Sequence, residues 1–114
     1  MEMTIHLHKE VFDIVREGVK DVEIRVNDLK RRKLNVGDTL IFINRGDEDE
    51  KIKAKVTALV HFNDFAEVLD YYKMERLYLK ETTKEEYLEL MSKFYSDEEV
   101  KKYGVVAIEF DKEN

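Results

Sequence analysis

A chain of 114 residues, 43% of them apolar, is long enough for one domain with its own core and too short for two ordinary ones. It contains no cysteine, which excludes disulfides, thiolate metal sites and cysteine nucleophiles, and no apolar run near the ~20 residues of a membrane span. The formal net charge of -6 excludes a general electrostatic pull on nucleic acid, so any such role needs a local basic patch or a pocket for one nucleotide. Charged residues make up 40% of the chain and glutamine is absent, a balance that fits a hyperthermophile-type protein, although the lack of proline runs the other way. Met1-Glu2-Met3-Thr4 lacks the basic-then-apolar pattern of a secretory signal, so a cytosolic location is expected.

In chain order, Thr4 to His8 alternates and predicts a short strand, with Ile5 and Leu7 on one face and His6 and His8 on the other. Lys9 to Glu17 follows as a helix with a stripe of Val11, Phe12, Ile14 and Val15, and Gly18 supplies a left-handed stop. Asp21 to Val26 is a period-two strand: Val22, Ile24 and Val26 point one way, Asp21, Glu23 and Arg25 the other. After a polar stretch from Asn27 to Asn35, the Gly37-Asp38 turn opens a strand from Thr39 to Ile43. Asn44-Arg45-Gly46-Asp47 with the acidic Glu48-Asp49-Glu50 reads as a hairpin tip before the longest strand, Lys51 to Phe62. There, Ile52, Ala54, Val56, Ala58, Val60 and Phe62 line one face, and Lys51, Lys53, Lys55, Thr57 and His61 the other. Asn63 or Asp64 caps a helix through about Tyr72, while Met74 to Glu81 is ambiguous. Capping boxes at Thr83-Lys84-Glu85-Glu86 and Ser96-Asp97-Glu98-Glu99 start a helix through Tyr95 and a short one ending near Lys102, with Gly104 as the stop. Val105 to Phe110 closes the chain as a strand buried on both faces. This order predicts an α+β fold, a small mixed β-barrel, partly closed and flanked by helices.

The stretch from Gly18 to Arg25 is the most informative chemically. Glu23 and Arg25 share a strand face with Cα atoms ~7 Å apart, and Lys20 sits at the strand's entry. Three ionisable groups can thus converge at the barrel mouth; the plainer reading, a solvated face with a weak surface ion pair, is the one pattern alone favours. Lys30-Arg31-Arg32-Lys33 is either a phosphate-contact patch or a solvated loop balanced by the acids from Asp47 to Glu50. Lys51, Lys53 and Lys55 read as edge protection or surface pairing with neighbouring acids, ahead of a phosphate track. His6, His8 and His61 lack metal-site spacing and no metal or other cofactor is implied. No glycine-rich phosphate loop and no G-x-S-x-G motif is present.

Gly18-x-Lys20-x-x-Glu23-x-Arg25, Gly37-Asp38 before a strand, Phe62-x-x-Phe65, Tyr95-Ser96 and the closing Tyr103-Gly104-Val105-Val106-Ala107-Ile108 together resemble the ASCH domain, from Ile5 to Phe110. That family is similar in fold to the PUA domain of RNA-modifying proteins, so the resemblance implies a single ASCH/PUA-like domain over residues 1–114. It also implies a partner that is RNA or a modified nucleoside, with no membrane, and a monomer is expected. In the binding reading, Lys20 and Arg25 meet phosphate or base oxygens, and Glu23 accepts from a cytosine-type amino group. Arg31 and Arg32 add phosphate contacts, and Tyr95 or Tyr103 stacks on a base, unless those rings only pack in the core. One branch of the family hydrolyses the acetyl amide of N4-acetylcytidine with a Lys, a Thr and a Glu. Its Lys falls on Lys20, its Thr position is Glu23 here, and the carboxylate nearest its Glu is Glu81. The alternative is therefore an amidohydrolase on an acylated cytidine-type nucleoside, or a ribonuclease. Water would attack with Glu23 or Glu81 as general base and Lys20 stabilising the oxyanion.

Overall fold

A computed structural model describes residues 1–113. The elements run β1 (Glu2–Leu7), α1 (Lys9–Arg16), β2 (Val22–Val26), β3 (Thr39–Asn44), β4 (Asp47–Phe62), α2 (Phe65–Tyr71), α3 (Met74–Leu77), α4 (Lys84–Phe94), α5 (Asp97–Tyr103) and β5 (Val105–Lys112). One 3-10 turn, Arg31–Lys33, interrupts the polar stretch between β2 and β3. Local signals set most of the boundaries. Asp64 accepts from the Glu67 N–H and starts α2, and both expected capping boxes form, Thr83 with Glu86 and Ser96 with Glu99. Gly104 ends α5 at φ +71°, a conformation other residues adopt only with strain. The ambiguous Met74 to Glu81 segment resolves into one short helix, α3, and a run of turns.

The strands form a single sheet in the order β1-β3-β4-β5-β2. β1 and β3 are parallel, and the remaining pairs are antiparallel. The sheet curls but does not close: β1 and β2 are its two edges. The expected barrel is thus corrected to a curled five-stranded half-barrel in an α+β fold. The inner face of β2 gives the physical reason. Glu23 lies opposite Ile108, and Arg25 opposite Val106, on the face where β5 is buried in the inner core. Ionisable side chains there face the gap that a closing strand would fill.

Two cores follow from the two faces. Inside the curl, Met3, Ile5, Leu40, Phe42, Val56 and Phe110 pack with Phe12 and Val15 of α1. Outside, Val22, Ile24, Val26 and Ala107 pack against Phe65, Val68 and Leu69 of α2, with Leu77 and Tyr87. β5 contributes to both cores, which explains its unbroken apolar run. The single-face alternation expected for β4 needs correction. The register shifts between Val56 and Ala58, so Thr57 is the extra residue of a bulge. Ile52, Ala54 and Val56 face the inner core, but beyond the bulge Leu59 takes that face, and Val60 and Phe62 turn to the outer core.

Candidate functional site

Gly18, at φ +82°, turns the chain out of α1, and the backbone N–H groups of Val19 and Lys20 both return to the Ile14 carbonyl. This turn delivers Lys20 into the interior, where it is only 2% exposed. Its Nζ donates to the carbonyl oxygens of Val22 at 2.5 Å and Leu77 at 2.6 Å, and lies 3.4 Å from Glu23 Oε1. Of the ammonium's three N–H donors, two meet carbonyl oxygens and the third is left to the ion pair with Glu23. Lys20 therefore ties α3 to the start of β2. Burial pulls its ammonium below the usual lysine range, and the Glu23 charge opposes that pull.

Glu23 is 7% exposed. Its Oε1 accepts from the Ile24 N–H at 3.1 Å, and its Oε2 from an Arg25 guanidinium nitrogen at 3.2 Å. Burial pushes this carboxyl up, but the Lys20 and Arg25 charges and these hydrogen bonds outweigh it, and the group is held below the usual glutamate range. No buried side-chain nitrogen or oxygen among the described residues lacks a partner.

A cavity of about 310 Å³ opens onto these three groups. His6, Leu7 and His8 from the end of β1 form one wall, and Glu23, Ile24 and Arg25 of β2 form the opposite one. Arg45 from the β3–β4 turn adds a cation. Tyr78, Tyr87, Met91, Phe94 and Tyr95 roof it. The pocket is thus the open seam of the half-barrel, between its two edge strands, covered by the α3–α4 region. Phe94 stands 58% exposed at the rim. One face of Tyr95 is already occupied, stacked on Phe65 at 5.6 Å.

Of the residues singled out from the sequence, Lys20, Glu23, Arg25 and Tyr95 meet in this pocket. Arg31 lies just outside its lining, half-buried, its guanidinium held below the usual range by burial and then by the like charge of Arg25. Arg32 points elsewhere: it donates to the carbonyls of Asn27 and Tyr103, with its guanidinium 5.6 Å from the Tyr103 ring centre. Tyr103 belongs to a second, open hollow of about 740 Å³ with Asn27, His61 and Lys102. Glu81 is exposed and lines neither hollow. His61 contacts Asn27 at 3.3 Å, apart from His6 and His8, and no three metal-ligating side chains converge among the described residues. Sequence reasoning missed Phe94, Tyr78, Tyr87 and Arg45. The spacing of Tyr87, Met91 and Phe94 at i, i+4 and i+7 was the available signal, because it puts all three on one helix face.

Fold and site together define a small α+β domain whose curled sheet leaves a charged, aromatic-roofed pocket in its open seam. The chain belongs to the ASCH domain family, which it matches over residues 5–114. It is similar to the crystal structure of hypothetical protein PH0355, with a TM-score of 0.85 and 33% identity over 99% of this chain and 100% of that one. It is similar also to the solution NMR structure of protein PF0455 from Pyrococcus furiosus, with a TM-score of 0.78 and 33% identity over 98% of this chain and 97% of that one. Comparison with curated proteins gave no match. Among the described residues no helix is long and apolar enough to cross a membrane.

Proposed function

We propose that the seam pocket binds one base of an RNA or of a modified nucleoside, in a single PUA-like domain acting in the cytosol. The observation that carries this reading is the convergence of Lys20, Glu23 and Arg25 on one cavity under an aromatic roof, with Lys20 and Glu23 buried in its wall. Its volume of about 310 Å³ suits a nucleoside-sized ligand.

The hydrogen-bond inventory divides the labour. Lys20 has its donors engaged, so it acts as a positioning residue that fixes Glu23. Glu23 retains accepting capacity on its oxygens, and Arg25 has four of its guanidinium N–H groups uncommitted to Glu23. An acceptor beside a donor matches a cytosine-type edge, where an exocyclic amino group neighbours ring and carbonyl acceptors. Phe94 offers its exposed ring face for stacking on the base.

The same inventory weighs against the hydrolytic alternative. A general base works best with a pKa near the working pH, whereas the Glu23 carboxyl is driven down. Two of the three Lys20 N–H groups are taken by carbonyl oxygens and the third faces Glu23 rather than an open oxyanion position, and Glu81 lies outside the pocket lining. Calorimetric titration at low salt with cytidine, uridine, N4-acetylcytidine and short RNAs tests the reading. A cytidine-type base should be favoured over uridine by about 1–3 kcal/mol, and Glu23→Gln should erase that preference. Absence of binding by all of these ligands would end it, and release of acetate from N4-acetylcytidine would favour the hydrolase.

A further inference from the structure

Arg31 is a half-buried cation whose guanidinium lacks a strong acceptor. It occupies the 3-10 turn after β2. The Asp28 carboxylate caps that turn by accepting the Arg31 backbone N–H at 3.0 Å. The guanidinium itself reaches only Met3 Sδ, at 3.5 Å, a weak acceptor. No carboxylate forms an ion pair with it among the described residues. The charged and titratable groups that face it are Arg25, Asp28, Tyr95 and Glu23, and the largest of their effects is repulsion from Arg25. Arg45, on the pocket wall, has no acidic partner either among the described residues. Four cations, Lys20, Arg25, Arg31 and Arg45, thus lie in or beside the seam, against the two carboxylates of Glu23 and Asp28, in a chain of formal charge -6.

The layout along the seam is ordered. Lys20 and Glu23 lie by Leu7 at one end of β1, whereas Arg31 contacts Met3 near its other end. Arg25 stands two residues beyond Glu23, towards Arg31. A ligand seated against Glu23 and Arg25 therefore extends towards an arginine fork that lacks an anion. We propose that Arg31, backed by Arg25, holds a phosphate of the ligand, so that the pocket takes a phosphorylated nucleotide rather than a free nucleoside. The proposal rests on the base-binding reading above. A guanidinium presents paired N–H donors that match phosphate oxygens, and an anion placed there relieves the repulsion between two half-buried cations.

The test compares cytidine, cytidine 5′-monophosphate, cytidine 3′-monophosphate, cytidylyl-(3′,5′)-cytidine and inorganic phosphate by calorimetry, with the Arg31 Nε–H resonance followed by NMR. One of the monophosphates should bind about tenfold or more tightly than cytidine at low salt, the ratio expected of a charge-assisted contact. That advantage should shrink as salt rises and vanish in Arg31→Gln. Arg31→Lys, which keeps the charge but not the fork, should recover part of it, and melting curves of both variants check folding. Inorganic phosphate alone should shift the Arg31 resonance. A dinucleotide that matches the better monophosphate assigns the phosphate to an RNA strand; a gain confined to a monophosphate assigns it to a free nucleotide. Equal binding of cytidine and every phosphorylated form, with the Arg31 resonance unmoved, overturns the inference and leaves the base pocket standing. A phosphate-dependent shift with no added affinity from any base does the reverse.

Discussion

Replacing Lys20 with methionine keeps the length of the side chain and removes its charge. The Val22 and Leu77 carbonyls then lose a donor at 2.5 and 2.6 Å, and Glu23 Oε1 loses a cation at 3.4 Å. Hydrogen bonds to charged groups contribute about 1.5–3 kcal/mol each. Removing one partner of a buried ion pair costs about 3–5 kcal/mol, because it leaves the other charge uncompensated. Glu23 keeps Arg25 and the Ile24 N–H, which holds the expected loss for Lys20→Met near the lower end, about 3 kcal/mol. Glu23→Gln leaves Lys20 its two carbonyl acceptors, and about 2 kcal/mol is expected. The double variant has no stranded charge at this pair, so its loss should fall short of the sum by about 1–3 kcal/mol. Denaturant unfolding of the four proteins at neutral pH measures this cycle, with unchanged slopes as the control. A Lys20→Met loss under about 1 kcal/mol, or additivity within about 0.5 kcal/mol, would refute the coupled, fully engaged geometry described above.

Phe94→Ala should weaken nucleoside binding by about 1–3 kcal/mol, while its exposed position keeps the stability change within about 0.5 kcal/mol; unchanged affinity in calorimetry removes Phe94 from the site. The acid limb of stability tests Glu23. Its folded pKa lies below the ordinary 4.5, so between the two values the unfolded chain binds more protons and stability rises with pH. The contribution is full above the ordinary value and is lost as pH falls through the folded one. The stability gap between wild type and Glu23→Gln should therefore hold above the ordinary 4.5 and narrow as pH falls below it and through the lowered folded pKa, and a constant gap in urea titrations would sink the assignment.

Much of this site was legible because its signals are local. Gly18 announces the turn, and strict alternation puts Glu23 and Arg25 on one face of β2. The boxes at Thr83 and Ser96 mark two helix starts within four residues each. What escaped depends on distant partners. Ala58, Leu59 and Val60 are apolar in either register, because helices cover the outer face of the sheet there, so the bulge at Thr57 leaves no trace in the pattern. The α3 helix is too short to declare itself, and its Leu77 carbonyl meets Lys20 from 57 positions away. Phe94 ends α4 and Tyr103 ends α5, and only the path of the chain sends the first into the seam and the second into the other hollow.

The open seam and the buried charges are one feature. A sheet edge is normally protected by closure, and a strand bridging β1 and β2 would have provided it. Here the α3–α4 segment wraps the β2 edge instead, held to it by the bond from Lys20 to Leu77. Apolar residues at positions 20 and 23 would serve stability at least as well, since well-packed hydrophobic replacements of buried ion pairs are often neutral or stabilising. The inner faces of β1, β3 and β5 follow that rule with Met3, Ile5, Phe42, Val106 and Ile108. The inner face of β2 departs from it at Glu23 and Arg25, beside the gap where a ligand has access. Stability alone gives no reason for that coincidence, whereas a site that must hold a carboxylate ionised next to a guanidinium requires both the dry wall and the opening.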